Sequence, residues 1–281
     1  SPFALSFLAI RLVQHLNGVS QLHGQVARRM WQRVWPDLPE HEIPIKHVTN
    51  GVHTPSWISM ENAQLFDRYL APDWHQRITY PEVVRRIDEI YDEELWSAHE
   101  LNRARVIRTC RDIMVRQYGR RNAPRSEMRE VESALDINML TIAFARRFAT
   151  YKRSYLILMD PERLESMITD PVRPIQLIFA GKAHPRDNEG KGLIQKITQF
   201  AHKAEVRHRV VFLEDFDIHM ARHLIQGVDV WLNTPRKPFE ACGTSGMKAA
   251  MNGVLNLSIM DGWWNEAFEG KGGWSMGRGK E

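Results

Sequence analysis

The sequence predicts an α/β protein in which a Rossmann-like, doubly wound parallel sheet follows a helical amino-terminal segment. From residue 137 onward, short apolar runs recur: "INMLTIAFA", "IQLIFAG", "RVVFLE", "VDVWLN" and "GVLNLSI". Amphipathic stretches of roughly 10–20 residues separate them, the pattern of buried parallel strands covered by helices. Polar stretches follow four of these runs directly ("RRFATYKR", "KAHPRDNEGKG", "DFD" and "TPRKPFEACGTSGMK"), at the carboxyl ends where such sheets bind ligands.

Residues 1–35 read as helical: Leu5, Leu8, Leu12 and Leu16 share a face, "NGV" offers a break, and a second helix runs through Val26 and Trp31. "WPDLPEHEIP" is a proline-rich connector, and "IKHVTNGVHTPSW" a short strand entering an Asn-Gly turn. Residues 60–130 are charged and helix-prone, with Trp74, Tyr91 and Trp96 available for packing. The expected organisation is 1–45 as the helical end of an amino-terminal domain, 46–135 as a crossover and helical layer, and 136–281 as the Rossmann-like domain. "SPFALSFLAIRLV" starts like the middle of a helix and "GGWSMGRGKE" stops without a terminating element, so a fragment of a longer chain is expected.

The 281 residues are 43% hydrophobic, enough for a sizeable core. Thirty-eight Lys and Arg against 34 Asp and Glu give +4, which suits phosphate-bearing ligands but is too diffuse for a nucleic-acid footprint. Cys110 and Cys242 have no paired spacing, so a reducing compartment and no disulfide framework are expected. No zinc-ligand spacing, membrane-length apolar run or signal-peptide pattern occurs, and the expectation is a soluble, cytoplasmic protein with neither nucleic-acid nor membrane partners.

Arg146, Arg147, Lys152 and Arg153 cluster where a strand gives way to a helix, and four cations there repel one another unless an anion is expected. Glu240, the one acid of its loop, could cap the following helix or accept hydrogen bonds from a sugar. Cys242 has no nearby base in sequence and reads as a packing residue. Lys248 lies among Met247, Ala249, Ala250 and Met251, and burying an unpaired ammonium is costly. Condensation with an aldehyde cofactor removes that cost, whereas a lone lysine more often snorkels to solvent.

Taken in order, "LNGVSQLHGQVARRMW", "HVTNGVHTPSW", "FARRFATYKR", "FAGKAHP" and "EACGTSGMKAAMNGVLNLSIMDGWW" resemble the α-glucan (glycogen, starch, maltodextrin) phosphorylases, nearer their shorter bacterial type. The resemblance implies a two-domain GT-B glycosyltransferase, this chain carrying its carboxyl-terminal half. It implies pyridoxal 5′-phosphate bound to Lys248 as a Schiff base, and reversible transfer of a terminal α-1,4 glucosyl unit to inorganic phosphate, giving glucose 1-phosphate. By motif, Arg147 and Lys152 would clamp the substrate phosphate, while Arg146, Thr244 and Ser245 would hold the cofactor phosphate. Glu240, Tyr151, Asn50 and the backbone at Cys242 and Gly243 would bind glucose hydroxyls, and Trp57 would pack near the cofactor.

Three positions depart from the family pattern: Arg146 stands where a lysine is usual, Phe216 where a tyrosine faces the cofactor, and Cys242 where a serine is common. Two rival readings remain: a nucleotide-sugar-dependent GT-B glucan synthase, and a truncated domain without catalysis. The isolated chain is expected to be inactive because a GT-B site needs both domains. Glucan chain length, allosteric effectors and oligomeric state, a homo-oligomer included, stay open.

Overall fold

The computed structural model describes residues 5–277. The amino-terminal part holds α1 (Leu5–Leu12), β1 (Leu16–Gly18), α2 (Gln21–Trp31), β2 (Ile45–His47), α3 (Thr54–Trp57), α4 (Met60–Tyr69), α5 (Trp74–Arg77) and α6 (Pro81–Val84). The long α7 (Asp92–Arg120) and α8 (Arg125–Ser133) complete the helical layer. Beyond it run β3 (Leu140–Ala145), α9 (Pro161–Thr169), β4 (Ile175–Ala180), α10 (Asn188–Ala201), β5 (Val210–Leu213) and α11 (Ile218–Gly227). The chain continues with β6 (Val230–Asn233), α12 (Thr244–Ala250), β7 (Leu255–Ile259), α13 (Trp264–Ala267) and β8 (Gly273–Met276).

Strands β3 to β8 form one parallel sheet in the order β5-β4-β3-β6-β7-β8. The five apolar runs become β3 to β7, and all six residues of β4 are buried, as a strand covered on both faces requires. One face packs α7, α8 and α11 against Ala143, Ala145, Ile178 and Trp231. The other packs α9 and α10 against Phe144, Leu177 and Phe179. Asp160, Asp187 and Asp217 start α9, α10 and α11, each accepting the backbone N–H three residues on. On the sheet's outer edge, the Gln117 side chain donates to Phe212 O and accepts from Glu214 N, filling positions beside β5 that a further strand would use.

Four expectations are corrected. Leu16 belongs not to a helix but to β1, which pairs in parallel with β2 in a separate two-stranded sheet. A sixth strand, β8, was not expected; with Trp274 exposed and glycines around it, it lacks an apolar run. Trp74 is buried, but Tyr91 and Trp96 lie exposed on α7 and its approach. Finally, the strand that ends just before Arg146 and Arg147 leads into a 3-10 turn over Thr150–Lys152, and the next α-helix begins only at Pro161.

Candidate functional site

The strand order reverses between β3 and β6, and the crevice beyond their carboxyl ends is where a doubly wound sheet binds its ligand. Arg146 extends the β3 ladder, its N–H bonded to Ala180 O, and the loop after β6 brings Glu240 beside it. Arg146 Nη2 lies 2.6 Å from Glu240 Oε2, and Lys152 Nζ reaches the same oxygen. Arg146 and Lys152 are buried, and the Glu240 side chain is nearly so. Burial works to raise the Glu240 pKa, but Arg146 and Lys152 outweigh it and hold the carboxyl below its usual range. Arg146 Nη1 is buried without a hydrogen-bond partner among the described residues. Tyr151 lies beneath Lys152, whose Nζ stands 4.7 Å from the ring centroid.

Several contacts brace the Glu240 loop. Buried Asp261, just beyond β7, accepts Glu240 N through Oδ2 and Gly262 N through Oδ1, both at 2.9 Å. Gly262 has φ +55°, and a Cβ there would stand 2.2 Å from Cys242 O, so the close approach demands glycine. Trp263 N donates to Cys242 O and Ser20 Oγ to Ala241 O, which ties the amino-terminal segment to the loop. Cys242 is buried beside Asn50; burial pushes its thiol pKa up, away from nucleophilic character. Cys110 is held up at about 12 by burial alone, and both cysteines are free.

Gly243, in the left-handed region at φ +88°, begins α12, which presents Thr244, Ser245 and Lys248. Ser245 Oγ accepts from Trp231 Nε1 at 3.2 Å, leaving its own proton to donate. Lys248 is half-buried, and its Nζ lies 3.7 Å from the Trp57 ring centroid, a cation–π distance. Burial lowers its pKa, and no carboxylate pairs with it among the described residues. Asn252 and Gln226 fix Trp57: Asn252 Nδ2 donates to Trp57 O and Lys248 O, Asn252 Oδ1 accepts Ser59 N, and Gln226 Nε2 donates to Trp57 O and Ile58 O.

The fold thus gathers Arg146, Lys152, Tyr151 and Glu240 into one cluster, Lys248 and Trp57 into a second, and Asn50 with Cys242 into a third. It does not assemble the four-cation cluster. Arg153 turns away to the carbonyls of Thr234 and Pro235, and Arg147 is exposed. Nor does Glu240 cap α12, which has no side-chain cap. Asp261, Asn252, Gln226 and Ser20 were missed. Asp261 follows a strand directly and could have been found by that position; the other three carry no signal beyond being polar.

Residues 3–271 match the family model of the carbohydrate phosphorylases. The chain belongs to the carbohydrate phosphorylase family. A maltodextrin phosphorylase of Thermococcus litoralis is 44% identical over 98% of this chain and 32% of its own length. Glycogen phosphorylases of Mycobacterium tuberculosis and Aquifex aeolicus are 45% and 44% identical over 98% of this chain, covering 32% and 39% of theirs. The chain therefore spans about a third of the length of the curated relatives it matches. Its six-stranded parallel sheet is the Rossmann-like layer of a GT-B phosphorylase domain. The family match does not favour a nucleotide-sugar synthase. Among the described residues no helix is long and apolar enough to cross a membrane, and no cluster of three or more His, Cys, Asp or Glu could hold a metal ion.

Proposed function

We propose that this chain is the cofactor- and phosphate-binding part of an α-glucan phosphorylase, an enzyme that transfers a terminal α-1,4-linked glucosyl unit reversibly to inorganic phosphate, giving glucose 1-phosphate. The observation that carries the reading is Lys248: a half-buried amine with a lowered pKa, laid on Trp57 and paired with no carboxylate among the described residues. Such an amine is more often unprotonated, the form that can attack an aldehyde, and the residues around it fit pyridoxal 5′-phosphate. Lys248 would tether it, Trp57 would pack against it, and Thr244, Ser245 and Arg146, with its unspent Nη1, would hold its phosphate. When bound, that phosphate would supply a proton donor and acceptor for the transfer.

Lys152 and Arg147 would bind the substrate phosphate and stabilise charge as the glycosidic bond breaks. Glu240, Tyr151, Asn50 and the backbone of Cys242 and Gly243 would orient the glucose through its hydroxyls. The partners in this reading are α-glucan and phosphate, and the setting is cytoplasmic. The test is to load the chain with pyridoxal phosphate, record the absorbance of the bound cofactor, reduce with borohydride and map the labelled peptide. Label on Lys248, and its loss in Lys248→Ala, is the expected result; label on Lys182 or Lys196 instead would overturn the assignment.

A further inference from the structure

Glu240 occupies both buried cations of its crevice through a single oxygen, Oε2, with Arg146 at 2.6 Å and Lys152 on the other side. Both cations share that one carboxylate oxygen, and Arg146 Nη1 remains buried with no partner among the described residues. A buried, unspent guanidinium donor is costly unless a ligand completes it. The Glu240 backbone is held independently by Asp261 and by the Gly262–Cys242 contact, so its side chain can turn without moving the loop.

We infer that Glu240 is the resident counter-ion of this site and is exchanged for a phosphate when the site fills. The inference rests on the phosphorylase reading and deepens it. A phosphate dianion offers several acceptor oxygens and twice the charge, so it displaces a monoanionic carboxylate from an arginine and a lysine. The displaced carboxylate is already largely desolvated and ionised, and it then needs donors, which sugar hydroxyls supply. Phosphate and glucose therefore assist each other's binding: the anion releases the group that reads the sugar, and the sugar stabilises the released state.

Binding measurements on the 281-residue chain test this without any need for turnover. Inorganic phosphate titrated into the wild type and Glu240→Gln should bind the variant about tenfold or more tightly, the equivalent of removing one competing charge-assisted pair. Glucose should bind the wild type more tightly with saturating phosphate than without it, and this gain should vanish in Glu240→Gln. Two arms distinguish the phosphate involved. A gain from inorganic phosphate in the cofactor-free chain assigns the exchange to the substrate anion, and a gain on loading pyridoxal phosphate alone assigns it to the cofactor's phosphate; either supports the exchange. Unchanged or weaker binding of both inorganic phosphate and pyridoxal phosphate by Glu240→Gln, or no gain for glucose in either arm, would overturn it. If the cofactor still maps to Lys248 after such a result, only the exchange fails and the phosphorylase reading stands.

Discussion

Replacing Asn252 by alanine tests how the Lys248 environment is built. The side chain makes three hydrogen bonds: to Trp57 O at 3.0 Å, to Lys248 O at 2.8 Å, and from Ser59 N at 2.8 Å. Trp57 O keeps Gln226 as a donor, but Ser59, 1% exposed, loses the acceptor of its N–H. Three buried bonds at about 1 kcal/mol each, with the added cost of an unsatisfied buried donor, give a loss of about 4 kcal/mol. For a chain of this size that lowers the melting temperature by roughly 10 °C. Thermal unfolding followed by circular dichroism measures it, and, on the proposed function, the fluorescence of pyridoxal phosphate added to the chain reports whether Trp57 still covers Lys248. A melting temperature within about 1 °C of the wild type would refute the claim that Asn252 joins α12 to the α3–α4 segment.

Two further outcomes follow from buried ion pairs. Asp229 accepts from His99 at 2.6 Å, Arg103 at 3.0 Å and Thr141 N at 2.7 Å, so Asp229→Ala leaves a buried guanidinium unpaired; the expected cost is about 3–5 kcal/mol, read as a urea midpoint lower by roughly 1–2 M. Glu240 has a folded-state pKa below its unfolded value, so its contribution is complete above the unfolded value of about 4.3 and is lost as pH falls through the folded pKa. The stability gap between wild type and Glu240→Gln, from urea midpoints at pH 7 and pH 3, should therefore shrink on acidification; a constant gap would contradict the buried triad.

The sheet was legible because its strands β3 to β7 are short, mostly apolar runs; Ile175–Ala180 has no polar-facing side to blur the signal, and even its one polar residue, Gln176, is buried. β8 was not legible, since an edge strand with an exposed Trp274 needs no such run. β1 was not either: its three residues become a strand only by pairing with Ile45–His47, about thirty positions away, while the local leucine spacing suggests a continuing helix. Lys248 stood out because a charge in an apolar segment is a local contradiction. The Arg146–Glu240–Lys152 triad left no such trace, because it joins residues some ninety positions apart and the sequence shows only that each is charged. Asp261 and Asn252 each sit beside a glycine, where polar residues ordinarily mark turns; their hydrogen bonds become visible only once the fold is built.

Gln117, at the rim of the sheet, bears on how copies of the protein behave at high concentration. A terminal strand with free amide and carbonyl groups is a template on which another chain can lay a strand of its own, and sheet proteins that leave it open tend to stack into fibres. Here one carboxamide from α7 meets both Phe212 O and Glu214 N, imitating the peptide unit such an intruder would bring. The rim of β5 is therefore closed to recruitment by a helix that belongs to the same chain, and self-association through that side would first have to evict it.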